Sequence, residues 1–430
     1  MKTDRNLEET EPAEIYKLEK IFSGKEGTNM TIEEKFAKLG VDNAPGQEER
    51  QKAAVLDLRG EKLEGREVDF SHGDVDAFEP IPGSLETFEE GYRVGGKQAY
   101  TPYRGGAGSL ADLAGKLSAY TQMPIDPDQN LIITPGTQGA LFLAMGSLVN
   151  AGDKVAIVEP DYFANRKLVQ FFGGELVPVE MHYFEHDDRA GLDLEQLEDA
   201  FRQGAKLFLF SNPNNPTGVI YSHDEIVKIA ELAGRYGAFV LADELYSRQI
   251  FDGRPYTHYG SAGDPENLIT IIGPSKTESM SGFRLGAAFG SAQIITRMEK
   301  LQAIVSLRAA GYCQSLLKLW FHEPEGWMKE RIAAHQAIRD DILAVLRAAE
   351  GVRVRTTEAG SYVFPKLPPL DVTIQDFVKI LRVQAGVTVT PGTEFGPQFT
   401  DSFRINFSQD HKAAVDAVKR LLTVMERYRA

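Results

Sequence analysis

A lysine and an arginine eight positions apart (284 − 276 = 8) share the segment Gly273-Pro-Ser-Lys-Thr-Glu-Ser-Met-Ser-Gly-Phe-Arg-Leu-Gly286. A lysine amine becomes a nucleophile when desolvation favours its neutral form. An arginine presents a planar fork that grips a phosphate through parallel hydrogen bonds. Taken alone, Lys276 and Arg284 read more readily as solvated cations on a surface loop. Three further segments bear on that reading. Pro135-Gly-Thr-Gln-Gly139 opens a helical stretch, and Gly, Thr and free amides at a helix start can hold an anion. Ser211-Asn-Pro-Asn-Asn-Pro-Thr-Gly218 reads as a rigid turn that presents asparagine amides. Asp243-Glu-Leu-Tyr246 brings an acid and a phenol together. Each has a structural reading of its own: an N-cap, a turn, a helix start.

Short apolar runs precede these segments. Leu131–Thr134, Lys154–Val158, Lys206–Phe210, Ala238–Ala242, Leu268–Ile272 and Leu285–Phe289 read as strands. Amphipathic stretches such as Leu194–Gln203 and Asp224–Tyr236 lie between several of them. This alternation predicts an α/β fold with a mainly parallel sheet covered on both faces. Ligands of such sheets bind beyond the carboxyl ends of the strands, where the loops above fall. From Gln302 to Glu350 the chain reads as one long helix. Beyond it, strands at Ser361–Phe364, Val387–Val389 and Phe403–Phe407 mix with helices at Thr373–Ala385 and His411–Tyr428, as expected of a smaller α+β domain. Helical pieces are expected near Pro12–Phe22 and Thr31–Leu39, in an extension rich in Glu and Lys. The resulting division is an extension over 1–65, a segment 66–95 packing with the small domain, a large domain over 96–310 and a small domain over 311–430.

The 430 residues suffice for two cores, and 42% hydrophobic with 25% charged residues is an ordinary globular balance. No apolar stretch is long enough to span a membrane, and Met1–Met30 is too charged for a secretory signal. Cys313 is the single cysteine, which excludes an intramolecular disulfide and a cysteine-rich zinc site and fits a reducing cytoplasm. No metal site is expected. A net charge of −15 argues against general nucleic-acid binding.

The motifs "NPNNPTG", "DELY", "SKTESMSGFRLG", "VTPGTEFGP" and "FRINFS" together resemble the class I/II aminotransferase family of fold-type-I pyridoxal-phosphate enzymes, from about Asp69 to the C-terminus. The resemblance implies a seven-stranded sheet and pyridoxal 5'-phosphate as cofactor. It assigns Lys276 to the Schiff base and to proton transfer between substrate Cα and cofactor. It assigns Asp243 to the pyridine nitrogen, and Tyr246 and Asn215 to the phenolic oxygen. Arg284, Gly136, Thr137, Gln138 and Ser275 would surround the phosphate, and Tyr162 would stack on the ring, unless it is a core aromatic. Arg404, with Asn215 and the backbone of Gly73, would face the substrate. Tyr100 would reach the neighbouring subunit's phosphate, implying a homodimer with shared sites.

The chain departs from the family pattern at Gly273, where a phosphate-binding serine is frequent; Ser281 or a partner residue is a candidate replacement. His72 reads as a substrate contact or an ordinary loop histidine, and Arg308 as a selector of acidic side chains or a structural arginine. The implied reaction moves the amino group of an L-amino acid to a 2-oxo acid. The same residues would support α,β-elimination, cyclopropane-forming synthesis or amino-acid oxidation. A regulatory protein that has lost catalysis is disfavoured by the intact Lys276, Asp243, Arg284 and Arg404.

Overall fold

Residues 31–39, 56–73 and 77–430 are described by a computed structural model; the helix expected at Pro12–Phe22 lies outside them. The strands are β1 (Val68–Asp69), β2 (Leu131–Pro135), β3 (Lys154–Glu159), β4 (Glu175–Glu180), β5 (Leu207–Ser211), β6 (Phe239–Asp243), β7 (Leu268–Ile272) and β8 (Leu285–Gly290), then β9 (Tyr362–Val363), β10 (Val387–Thr388), β11 (Thr390–Pro391) and β12 (Phe403–Asn406). Seven of them form one sheet in the order β2-β8-β7-β6-β5-β3-β4. Neighbours from β7 through β4 are parallel, whereas β8 runs against both β2 and β7.

The six strands expected from apolar runs appear at their positions to within a residue at either end. The seventh, β4, was not anticipated. Its sequence ELVPVE is bounded by charges and interrupted by Pro178, and it lies at the sheet edge with much of its length accessible. An edge tolerates a proline and needs no continuous apolar run.

Along β5, Phe208 and Phe210 point into one core while Leu207 and Leu209 point into another, as the two-residue period of a strand requires. Helices Gly136–Leu148 and Ala292–Val305 cover the leucine face through Leu141, Ala144, Ile294 and Met298. Helices Ala107–Thr121, Leu194–Arg202 and His223–Tyr236 cover the phenylalanine face through Leu113, Leu197 and Ile229. The last of these starts at a capping box of Ser222 and Glu225 and stops at Gly237 in the left-handed conformation, so its limits are encoded locally.

The single helix expected over Gln302–Glu350 is instead three pieces: the end of Ala292–Val305, a 3₁₀ stretch Tyr312–Lys318, and Trp327–Ala348. Leu307, Phe321 and Gly326 all have positive φ, which a continuous right-handed helix forbids. The irregular passage turns Leu316, Leu317 and Trp320 into the core of the large sheet. Ile338, Ile342, Leu343 and Leu346, further along helix Trp327–Ala348, belong to a separate core with Phe377, Ile405 and Leu421. That third core lies among the antiparallel sheet β11-β12-β9, helices Ile374–Ala385 and His411–Glu426, and the parallel pair β1-β10. Val68 and Phe70 thereby bring the N-terminal segment into the smaller α+β unit. The expected helix at Thr31–Leu39 is present as Ile32–Leu39. Among the described residues, no helix is long and apolar enough to cross a membrane.

Candidate functional site

Because β2, β5, β6 and β7 share one direction, their carboxyl ends open on the same edge of the sheet. The reversed β8 starts at that edge, pairing Leu285 with Pro135, so Arg284 arrives there from the opposite chain direction. A cavity of about 370 Å³ occupies this edge, lined by the loops after β2, β5, β6 and β7 and by parts of the smaller unit. Of the residues expected at a site, Gly73, Thr137, Gln138, Tyr162, Asn215, Asp243, Tyr246, Ser275, Lys276, Arg284 and Arg404 all line it.

Lys276 Nζ donates to the Gly73 carbonyl at 2.5 Å. A side chain at residue 73 would place its Cβ 2.6 Å from that Nζ and 3.0 Å from Tyr362 Oη, so glycine is what lets the amine into the cavity. Asp243 terminates β6 and accepts from the Leu245 amide at 3.1 Å. Burial raises its pKa to about 6; the Leu245 amide opposes the rise, the Glu244 charge adds to it and Lys276 opposes it. Tyr246 and Tyr362 share a hydrogen bond of 2.7 Å between their hydroxyls. Burial, and then proximity to Tyr362, push the Tyr246 phenol well above its usual range.

Arg404 on β12 is buried; it donates to Asn215 Oδ1 (3.0 Å) and the Ser71 carbonyl (2.6 Å) and lies over the rings of Tyr362 (4.3 Å) and Phe395 (5.0 Å). Its Nε has no partner, and among the described residues the acceptors on its guanidinium are an amide and a backbone carbonyl oxygen rather than a carboxylate. A buried cation without a counter-charge is costly unless a ligand supplies one. Asn215 is held in the Asn212–Gly218 turn, where Thr217 bonds Asn214 (2.6 Å) and Asn214 bonds the Pro160 carbonyl (3.1 Å). Glu358 ties this turn to the smaller unit by accepting from the Ile220 amide at 2.8 Å.

At the other end of the cavity, helix Gly136–Leu148 begins with neither a side-chain cap nor an acid in its first turn. A Cβ on Gly136, whose φ is +74°, would strike the guanidinium of Arg284, so cation and helix start are in close apposition. Arg284 itself donates to the Ser281 carbonyl at 3.0 Å. These amides and this guanidinium make an anion site. A serine at 273 has no room: its Cβ would lie 2.9 Å from Thr137 Cγ2 and 3.2 Å from the Gly286 Cα. The hydroxyl of Ser275 is buried, faces the same cavity and lacks a partner. Tyr162 bonds Gln138 Oε1 through its hydroxyl (2.9 Å).

Tyr100 is not among the residues brought together; its ring is 70% exposed, outside the cavity, with the Arg308 guanidinium 3.3 Å from its centroid. Arg308 also donates to the Thr101 carbonyl and does not line the cavity. His72 does line it and lies 3.3 Å from Asp69. Sequence reasoning passed over Tyr362, Ser71 and Asp161. Tyr362 lies in an apolar strand that signals only burial, and Ser71 contributes a carbonyl, which no side chain reveals. Asp161 is buried and accepts from the Tyr162 amide (2.5 Å) and from Ser211 N (2.9 Å) and Oγ (2.5 Å); burial pushes it up to about 7. Among the described residues, no cluster of His, Cys, Asp and Glu is disposed to hold a metal ion.

A family model for aminotransferase class I and II matches residues 70–421. The chain is 30% identical to an aspartate aminotransferase of Sulfolobus acidocaldarius over 335 residues, 76% of this chain and 82% of that one. It is 62% identical to the crystal structure of an aspartate aminotransferase from Rhodobacter sphaeroides, with a TM-score of 0.88 over 93% of this chain and 100% of the other. Aspartate aminotransferase from Thermus thermophilus with maleate shares the fold at 24% identity and a TM-score of 0.77, over 90% of this chain and 96% of the other. The family model spans most of the three cores and every strand end that faces the cavity, and the chain belongs to the class I and II aminotransferases, enzymes that depend on pyridoxal phosphate.

Proposed function

We propose that this pyridoxal-phosphate-dependent aminotransferase takes L-aspartate as its amino donor and returns the amino group to a 2-oxo acid. The 62% identity to the Rhodobacter sphaeroides aspartate aminotransferase, over the whole of that chain, is the observation that carries the reading. The cavity supports it: three cations, Lys276, Arg284 and Arg404, line it with one half-buried acid, Asp243, which suits an anionic cofactor and an anionic substrate.

The donor set fits pyridoxal phosphate. Arg284, the amides of Thr137 and Gln138 and the partnerless Ser275 hydroxyl would hold the phosphate. Asp243 would pair with the pyridine nitrogen, Asn215 and Tyr246 with the phenolic oxygen, and Tyr162 would cover a ring face. When bound, the cofactor supplies an aldehyde carbon that takes up the amino group and a ring that withdraws electrons from the substrate Cα. Arg404 receives the α-carboxylate on the N–H groups that the protein leaves free and thereby fixes the direction of the Cα–H bond. Lys276 Nζ, close to Gly73, anchors the cofactor and then moves the proton released at Cα. Asp243, when ionised, would hold a proton on the pyridine nitrogen.

We further infer a cytoplasmic homodimer. Tyr100, Ile304, Val305 and Leu307 are 70%, 81%, 54% and 45% exposed around the Arg308–Tyr100 contact, an apolar surface that a second copy would cover. Tyr100 would then reach the partner's phosphate. For the domains we propose the extension over 1–65, the segment 66–95 with the small domain, the large domain from 96, and a small-domain core that begins within helix Trp327–Ala348 rather than at 311.

The test is spectral. L-Aspartate alone should abolish the visible absorption of the purified holoenzyme, and oxaloacetate should restore it; ammonia release with no need for a 2-oxo acid would refute transamination. Faster bleaching by an aromatic or aliphatic amino acid than by L-aspartate would refute the substrate.

A further inference from the structure

The cofactor-facing residues Tyr246 and Lys276 leave adjacent strands on separate loops, and something must hold those loops in register. Two residues beyond each lies a charge: Arg248 after Tyr246 and Glu278 after Lys276. Arg248 Nη1 meets Glu278 Oε1 at 2.5 Å, and its fork spans both oxygens of Glu323 at 2.7 and 3.1 Å. The three side chains are 11%, 2% and 8% exposed. Trp320 Nε1 donates to Glu278 Oε1 (3.1 Å), the Phe321 amide donates to Glu323 (3.0 Å), and the Arg248 guanidinium lies 4.1 Å from the Phe321 ring. From the other side, Arg331 donates to the Thr277 carbonyl (3.2 Å), Ser279 Oγ (2.6 Å) and the Glu79 carbonyl (2.6 Å). The lysine loop is thus clamped immediately after residue 276 by groups that do not line the cavity.

A buried ion network is a poor source of stability, because desolvation offsets most of the attraction and well-packed apolar residues serve as well. What it supplies is geometry, since two carboxylates and a planar fork satisfy one another in few arrangements. We propose that Glu278, with Arg248 and Glu323, is a positioning residue for Lys276, holding the loop after β7 against the loop after β6 so that Nζ stays aligned with Tyr246 and the substrate Cα. The inference rests on reading Lys276 as the cofactor anchor. A misplacement of about 1 Å at a reacting group costs roughly 100-fold in rate.

The experiment compares holoenzymes carrying Glu278→Leu, Glu278→Gln and Arg248→Leu. Each is measured for kcat and KM with one amino donor, for the pH midpoint of its visible absorption and for Tm. Borohydride trapping of the cofactor on Lys276 in the unsubstituted enzyme tests the underlying reading separately. Glu278→Leu and Arg248→Leu should lower kcat about 10- to 100-fold with KM within about threefold, and should shift the pH midpoint. Glu278→Gln, which keeps an acceptor for Trp320 and Arg248, should restore part of the rate. Unchanged kcat and pH midpoint in the leucine variants, whatever their Tm, would overturn the proposal. If those variants do not fold, Arg248→Lys and Trp320→Phe decide it: a loss of about 3- to 10-fold in kcat supports positioning, and wild-type values overturn it.

Discussion

Replacing Arg404 by lysine keeps a positive charge at the substrate end of the cavity while removing its fork. A guanidinium carries five N–H donors, of which the protein engages one on Nη1 and one on Nη2, leaving Nε and one hydrogen on each Nη for a ligand. A carboxylate can therefore be gripped at two points by arginine and at one by lysine. One charge-assisted hydrogen bond is worth about 1.5–3 kcal/mol. Loss of packing over Tyr362 and Phe395, 4.3 and 5.0 Å from the guanidinium carbon, adds to this. The expected penalty of about 2–3 kcal/mol corresponds to roughly a 30- to 150-fold fall in kcat/KM. Stopped-flow bleaching of the visible band by L-aspartate measures it directly. The same measurement with an amine lacking the α-carboxylate should show little difference between the two enzymes. A loss below about threefold with L-aspartate, or an equal loss with both amines, would refute the assignment of Arg404 to the α-carboxylate.

Asp243 is ionised above about pH 6 and neutral below it. Cofactor affinity should therefore weaken as pH falls through 6, and equilibrium dialysis of Asp243→Asn should lose the part of that slope owed to this group. Ser275→Ala removes a buried hydroxyl that lacks a protein partner. It should weaken pyridoxal-phosphate binding by about 1 kcal/mol, roughly fivefold, with little change in Tm. His335 is held neutral, donating to the Arg331 carbonyl (3.1 Å) and accepting from Ser408 (2.8 Å), and burial lowers its pKa to about 3. The unfolded chain binds this proton near pH 6.5, so stability falls as pH drops from 6.5 toward 3. His335→Gln should flatten that limb in calorimetry even though its Tm near neutrality is lower.

The large sheet was legible because β2, β5, β6 and β7 are largely buried on both faces and read as short runs rich in Val, Ile, Leu and Phe. β4 was not, since its edge position leaves room for Pro178 and flanking charges. The passage after Val305 misled for a different reason. Its composition is helical, but Leu307, Phe321 and Gly326 take backbone conformations set by packing Leu316 and Trp320 into a distant core. At the site, the expected residues that line the cavity are those whose order follows the strand ends. Tyr362 bonds Tyr246, and Asp161 accepts from the adjacent Tyr162 amide and from Ser211; Tyr246 and Ser211 lie far from these partners in the chain. Glu278 stood in plain view beside Lys276, yet only the fold brings Arg248 and Glu323 to it.

The central claim is that Lys276 carries the cofactor. Borohydride reduction of the holoenzyme, followed by proteolysis and mass spectrometry, should place one pyridoxyl group per chain on the peptide containing Ser275-Lys276-Thr277, and Lys276→Ala should yield none. A pyridoxyl group on any other lysine, or undiminished labelling of Lys276→Ala, would contradict it.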